Sequence, residues 1–221
     1  MVEIKNSYFK DPFGNRYFRR NSSSVSVGAF GEKKEPWTEA NYLSVDGHMR
    51  YEFLDGKLKQ DPAVSIDWNG TSQADIGTAV TSYFDVGGVL ATFDTEKARK
   101  AQLKLVRFHV DANPLENVLN SQARTVRDQM KDEGNDARIC SSAWVVVSAE
   151  LGQRFATATA IKVEATTTQG LKITAQGGKT WSGSESIVLG AGTVFAYGLH
   201  KVKKWDGERV EDLEDDWQSL N

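Results

Sequence analysis

The order of apolar and polar side chains predicts a chain built mostly of β-strands. The clearest alternation runs from Gln73 to Val86, where the even positions are mostly apolar and the odd positions mostly polar or small. A period of two with one apolar face is typical of a half-buried strand. The same pattern predicts strands at 89–93, 103–110, 144–151, 155–165 and 171–176, and a closing hairpin over 186–202 that turns at Gly190-Ala191-Gly192.

The first 70 residues are rich in turn signals. Asp-Gly and Asn-Gly pairs favour hairpin turns, because their central positions need a positive φ. We therefore expect short strands and loops here, with little helix. The turn signals are Asp11-Pro12-Phe13-Gly14, Asp46-Gly47, Asp55-Gly56 and Asn69-Gly70, and the short segments between them include 51–54 and 64–68.

One helix is predicted after residue 112. Asn113 offers a cap, Pro114 occupies the first helical position and Glu116 follows three residues after the cap. Gly134 marks the end. An apolar stripe, interrupted at Gln122, predicts that the helix packs on a sheet. The stripe is Leu115, Val118, Leu119, Val126 and Met130. The basic side chains Arg124, Arg127 and Lys131 are interpreted as a solvated face, with a lipid or partner contact as the alternative.

These elements predict one α+β domain, a twisted and mostly antiparallel sheet with a few surface helices. The single cysteine, Cys140, excludes an intramolecular disulfide and favours a reducing, cytoplasmic setting. The first residues lack the features of a signal peptide, and the longest apolar run, Ala143 to Val147, is too short to span a membrane as a helix. We expect a cytoplasmic protein.

Charge divides the chain into a mildly basic body and an acidic tail. Residues 1–34 carry seven basic and three acidic side chains, whereas residues 205–221 carry one basic and seven acidic. The tail also has apolar residues spaced three, four and three apart, which predicts a short amphipathic helix that docks on the body. They are Val210, Leu213, Trp217 and Leu220. The tail either masks a surface meant for anions or is an ordinary solvated end.

The sequence shows no recognisable enzyme motif. His48, His109 and His200 stand far apart without ligand-spaced partners, and phosphate loops and nucleophile elbows are absent. We expect no cofactor, no metal and no catalytic residue. The aromatic-rich N-terminal segment carries Lys10, Arg16, Arg19 and Arg20, but an overall pI near 5.7 argues against nucleic acid. These four side chains suit an anionic membrane surface.

The order of elements resembles the pore-forming domain of the gasdermins. Three segments carry the resemblance: LKLVRFHVDANPLENVL from residue 103, QARTVRDQMKDEGNDARICSSAWVVVSAEL from 122 and ESIVLGAGTVFAYGLHKV from 185. Together they give a capped helix, a buried strand and a closing hairpin with Phe195-Ala196-Tyr197 in its last strand. The turn has Gly190 where the family has proline, and the large helical inhibitory domain is missing. The chain therefore resembles the short gasdermins of microbes and fungi.

The resemblance implies a pore-forming domain over residues 1–204 and an inhibitory tail over 205–221. Its implied function is to bind anionic lipid, move from the cytoplasm to the membrane, form a homo-oligomer and insert two β-hairpins, which leads to cell death. Activation would use a protease, for which Lys201-Val202-Lys203-Lys204 offers basic sites. The residues expected to insert are Ile76, Val80, Phe84, Val86, Phe155, Ile161, Val163, Leu171 and Ile173. The alternatives are a non-enzymatic β-rich binding or assembly module and an enzyme without a recognisable motif.

Overall fold

The computed structural model describes residues 2–66, 102–166, 170–177, 185–189 and 194–217. Within these ranges the chain forms an α+β fold with a curled antiparallel sheet, which confirms the predicted fold class. The strands are β1 Glu3–Ile4, β2 Tyr8–Lys10, β3 Arg16–Phe18, β4 Ala29–Lys34, β5 Tyr42–His48, β6 Lys59–Gln60, β7 Val64–Ser65, β8 Lys104–His109, β9 Ala137–Val147, β10 Ala160–Thr166, β11 Gly170–Gln176, β12 Glu185–Leu189, β13 Val194–Asp206 and β14 Arg209–Asp216. The α-helices are α1 Ala112–Ser121, α2 Arg124–Glu133 and α3 Ala149–Thr157, and short 3-10 helices cover Ser22–Ser24, Tyr51–Leu54 and Gly134–Asp136.

Strand β9 is the centre of the main sheet, and all eleven of its residues are buried. One edge pairs with β13. The other edge pairs first with β4 and then with β8, so a single strand serves two neighbours along its length. Strand β13 likewise pairs with β3 and β14 on its outer edge. This branching makes the sheet curl around its own core. The strand predicted at 103–110 and the first part of the strand predicted at 144–151 lie at its middle, in β8 and β9.

The predicted helix is present as two helices. The helical hydrogen bonding is interrupted at Gln122. The amide of Ala123, the next residue, donates to the carbonyl of Val118 at 2.8 Å. All five residues of the predicted stripe are buried, so its packing on the sheet is confirmed. Gly134 ends α2 with φ of 70°, as its position predicted. The buried residues of both helices belong to the same hydrophobic core.

Strands β10, β11 and β12 form a second sheet that is not hydrogen-bonded to the main sheet within the described residues. The strand predicted at 155–165 is present only from Ala160, as β10, and the strand predicted at 171–176 is present as β11; the two pair with Val163 opposite Ile173. Ile173 in turn lies opposite Ile187 of β12. One face of this sheet joins the hydrophobic core of the whole molecule.

Several predicted elements are wrong. Residues 149–157 form α3 instead of strand, with the Ser148 side chain accepting the Leu151 amide at 3.1 Å as an N-cap. Segment 186–202 is not a hairpin, because β12 pairs with β11 and β13 joins the main sheet. Asp46-Gly47 lies inside β5, where a side chain at Gly47 would meet the Phe30 ring at 2.8 Å. The predicted strands at 73–86 and 89–93 lie outside the described residues.

The tail is a strand instead of the predicted helix. Residues 209–216 form β14, which pairs antiparallel with β13 through two register shifts. Those shifts bring Val210 and Leu213, three residues apart, onto one buried face. A helix-like spacing therefore arises from irregular pairing in a strand.

Candidate functional site

The residues expected to insert into a membrane form the buried face of the second sheet. Leu171 and Ile173 have no exposed surface, Val163 is 6% exposed and Ile161 is half-buried. Phe155 is buried as well, but it lies on α3, and its ring meets the Phe108 ring edge-on with centroids 5.6 Å apart. These side chains are core residues in this state of the protein. Ile76, Val80, Phe84 and Val86 lie outside the described residues.

The opposite face of the second sheet carries charge. Glu164 lies opposite Lys172 in the register, with the lysine Nζ 3.5 Å from its carboxylate. Lys162 Nζ donates to the same carboxylate at 2.6 Å. This hydrogen bond lowers the pKa of Glu164 and raises the pKa of Lys162. The sheet is therefore amphipathic, with aliphatic side chains on one face and an ion-pair network on the other.

Helix α3 connects the main sheet to the second sheet and packs closely on the body. Its Gly152 is buried, and a Cβ placed there would lie 3.4 Å from the Ala63 Cβ and 3.5 Å from Val147. Phe155 lies one turn further along, against Phe108 of β8. The helix thus holds the start of β10 against the main sheet.

The β2–β3 hairpin presents an aromatic side chain between two cations. Lys10 and Arg16 are cross-strand partners, and the Arg16 guanidinium stacks over the Tyr8 ring at 5.0 Å. Phe13, at the turn between them, is 89% exposed. The turn is held by Asp11, whose Oδ1 accepts the amide of Phe13 at 2.9 Å. The hairpin tip is therefore a fixed protrusion with an aromatic end.

Arg19 and Arg20 do not lie on that tip. Arg19 is buried, donates to the Lys5 carbonyl at 2.8 Å and stacks over the Phe195 ring at 4.1 Å. Arg20 pairs with Glu39 and donates to the Ala40 carbonyl at 3.3 Å. Both join the N-terminal segment to the rest of the fold. Of the four predicted lipid-contacting residues, Lys10 and Arg16 are thus the two on the protruding hairpin.

The basic run 201–204, which was expected to offer protease sites, is part of β13 and pairs with the acidic strand β14. It is therefore not a linker between the body and the tail. Asp216 anchors the strand's end, with its carboxylate 3.1 Å from Lys33 Nζ and 2.6 Å from Arg138 Nε. Trp217 is 41% exposed and meets the Tyr17 ring edge-on, and Leu220 lies outside the described residues. Three cross-strand ion pairs hold the two strands together, Lys201–Glu214, Lys203–Asp212 and Lys204–Glu211, and His200 Nδ1 lies 3.0 Å from the Asp215 carboxylate.

Tertiary folding also creates a buried polar cluster that no local motif predicted. Arg107 of β8 donates to the Tyr17 hydroxyl at 2.6 Å, and its Nε lies 2.5 Å from Asp61. Burial raises the pKa of Tyr17 to about 12. Burial and the neighbouring Arg107 lower the pKa of His109. His109 and His200, far apart in sequence, line the same cleft of about 230 Å³. The cluster ties the N-terminal hairpin to β8.

None of the helices in the described parts of the chain is long and apolar enough to cross a membrane. Within the same ranges, no three or more His, Cys, Asp or Glu side chains are placed to hold a metal ion. Comparisons with protein-family models, with curated proteins and with solved structures found no match to this chain. The gasdermin resemblance therefore stays a hypothesis.

Proposed function

We propose that this protein permeabilises anionic membranes in the manner of a gasdermin, by oligomerising and inserting β-hairpins from the second sheet. The observation that carries the proposal is the amphipathic β10–β11–β12 sheet, which shares no backbone hydrogen bonds with the main sheet within the described residues. A membrane-spanning strand needs one lipid-compatible face and one polar face, with all its backbone groups paired to neighbours. Strands β10 and β11 already have both faces and pair with each other.

The strands must lengthen to span a bilayer. A transmembrane β-strand has about 9 to 11 residues, and β10 and β11 have seven each. Helix α3 and the two residues after it precede β10 directly, and their side chains between 155 and 159 alternate in the register of the strand. Conversion of the end of α3 to strand would supply the missing length of β10.

Detachment has a cost that keeps the protein in its soluble form until lipid is present. Val163, Leu171 and Ile173 would leave the core, and each buried aliphatic side chain contributes about 1.5–3 kcal/mol. Burial of the same side chains in lipid restores this contribution. Pairing with a second copy of the chain satisfies the backbone groups at the strand edges.

The β2–β3 hairpin is the proposed first contact with the membrane. Lys10 and Arg16 attract anionic headgroups, each contributing on the order of 1 kcal/mol near the surface. Phe13 between them is suited to the interface, where aromatic rings partition favourably. Trp37, on the loop between β4 and β5, is fully exposed and offers a second aromatic contact.

We also propose that the tail restrains the soluble form, now as strand β14. Its ion pairs to β13 and the Asp216 contacts to Lys33 and Arg138 stabilise the closed main sheet. A protease that cut in the β13–β14 turn, at Gly207, would leave the strand in place but sever its covalent connection. Loss of the strand would then free one edge of β13 for pairing with another copy.

Dye release from liposomes tests the proposal. The full chain and a chain cleaved at an engineered protease site in the β13–β14 turn are added to vesicles of phosphatidylserine and phosphatidylcholine, and to phosphatidylcholine alone. We expect release from the anionic vesicles only, and more of it after cleavage. The absence of release by both forms at every lipid charge would refute the proposed function.

The docking step is tested with Lys10→Glu and Arg16→Glu combined with Phe13→Ala. This triple variant should lose sedimentation with anionic vesicles while it keeps most of its thermal stability, because Phe13 is exposed and the half-buried Lys10 and Arg16 lie outside the hydrophobic core. The matched control is Arg50→Glu with Lys57→Glu, which makes the same change in charge elsewhere. Equal loss in the control would indicate a general charge effect without a specific hairpin contact.

A second candidate function is assembly through strand edges. Strand β5 ends the main sheet and pairs only with β4 among the described strands. An open edge of seven residues can accept a strand from another molecule. Oligomers that form in solution without lipid, and that do not release dye, would favour this function over pore formation.

A further inference from the structure

A concave site with three arginines lies where α1, α2 and the start of β14 meet. Its volume is about 350 Å³. The lining residues are Asn117, Asn120, Ser121, Arg124, Arg127 and Arg209. All of them are polar, half are guanidinium groups, and no acidic side chain is among these described lining residues.

The positive charge at this site is only partly compensated. Arg127 donates through Nε and Nη2 to Asp128 Oδ1, at 2.9 and 2.6 Å. Within the described residues, no carboxylate lies at ion-pair distance from Arg124 or Arg209. Both side chains are exposed at the mouth of the cleft. Two uncompensated guanidinium groups from different elements thus share one concave surface.

The fold holds the two sides of the cleft in fixed relation. The Asn120 side chain donates to the Val210 carbonyl at 2.7 Å and accepts the Val210 amide at 2.9 Å. This pair of hydrogen bonds fastens β14 to α1, so that Arg209, the residue before Val210, is placed beside α2. Arg124 and Arg127 lie in the first turn of α2, which carries no acidic residue. The N-terminus of a helix is itself partly positive, so two arginines there are unfavourable unless an anion compensates their charge.

We propose that this three-arginine site binds a phosphate group. Guanidinium groups donate paired hydrogen bonds that match the oxygens of phosphate, and several of them can bind one dianion. Asn117 adds a neutral donor at the same wall. The volume suits inorganic phosphate or a small phosphate ester. In the uncleaved chain the site is complete whether or not the protein permeabilises membranes, because it lies on α1, α2 and β14 instead of the second sheet.

Calorimetric titration of the full chain with inorganic phosphate tests the site, at constant ionic strength with chloride as the reference anion. We expect saturable binding to phosphate, with Arg124→Gln and Arg209→Gln each weakening it about tenfold, since each removes a charge-assisted hydrogen bond. Both positions are exposed, and unchanged melting temperatures without phosphate show that the variants fold. Arg50→Gln, an exposed arginine on another element, is the matched control and should bind as the unaltered chain does.

A second set of measurements identifies the source of the phosphate group. Vesicles with phosphatidic acid, which has a phosphate monoester headgroup, are compared with phosphatidylserine vesicles of equal charge. Preference for phosphatidic acid that is lost in Arg124→Gln and Arg209→Gln supports a lipid source, and phosphate binding without vesicle preference supports a soluble ligand. The proposal is overturned if neither phosphate nor phosphatidic acid binds, or if both glutamine variants bind as well as the Arg50→Gln control. Dye release in that case would still leave the pore proposal standing.

Discussion

Locking α3 to the body should abolish pore formation without unfolding the protein. The change is a pair of cysteines, Ala63→Cys and Gly152→Cys. A Cβ at Gly152 lies 3.4 Å from the Ala63 Cβ, close to the separation of about 3.5–4.5 Å found in disulfides. Gly152 lies in a helix, where cysteine fits the backbone. The only native thiol, that of Cys140, is buried, and burial raises its pKa far above the usual range, so it should not compete.

The size of the effect follows from the loop that the disulfide closes. Residues 63–152 make a loop of about 90 residues, for which the chain-entropy relation gives about 4.6 kcal/mol of stabilisation. In a chain of this length such an increase raises the melting temperature by roughly 10 °C. The covalent bond itself opposes any route to the membrane in which α3 moves away from Ala63.

The assay is dye release from phosphatidylserine vesicles by the oxidised and reduced double variant. We expect the oxidised form to melt higher and to release no dye, and the reduced form to recover release. Each single cysteine variant controls for the substitutions. A cross-strand disulfide between Glu32→Cys and Ser44→Cys, in β4 and β5, controls for stabilisation alone. Equal release by the oxidised and reduced forms would show that release does not require α3 to move away from Ala63, which would refute this prediction.

Two further predictions concern the stability of the fold. Burial and Arg107 lower the pKa of His109 in the folded state. As the pH falls, the imidazole is therefore protonated in the unfolded chain at a higher pH than in the folded protein. The free energy of unfolding should decrease as the pH drops below about 6.5. Urea denaturation between neutral and mildly acidic pH measures how the free energy of unfolding depends on pH, and His109→Gln should reduce this dependence. An unchanged dependence would show that other groups cause it. The Tyr197 hydroxyl accepts the Leu43 amide and donates to the Arg20 carbonyl, both at 2.9 Å. Tyr197→Phe should therefore cost about 1–3 kcal/mol of unfolding free energy, and a loss no larger than that of Tyr51→Phe would contradict it.

Local periodicity was sufficient to predict an element and its buried positions where that element packs through one face. The stripe from Leu115 to Met130 identified buried helical positions, and the alternation around Val163 and Ile173 identified a strand pair with its buried face. Both patterns work because side-chain direction repeats with the backbone, every 3.6 residues in a helix and every two in a strand. The sequence could likewise assign the α+β class, since such patterns report element types without their partners.

For short segments whose pattern fits both a helix and a strand, only the tertiary structure decides which of the two forms. Leu151 and Phe155 stand four apart, as on one face of a helix, yet Phe155 also continues the alternation of the following strand. Ser148 followed by Glu150 was the local signal for the helix, because Ser caps and an acid in the first turn is favourable. The packing of Phe155 on Phe108 decides between the two, and that contact joins residues 47 positions apart.

Partner choice is what the sequence by itself could not determine. The apolar residues of the tail indicate one buried face, but the register shifts that make this face a strand arise only from pairing with β13. The same holds for Arg107 beside Tyr17 and for Arg209 beside Arg124, which come from separate strands and helices. Periodicity indicates which face of an element is buried, whereas the element that packs against this face depends on long-range contacts that no local pattern encodes.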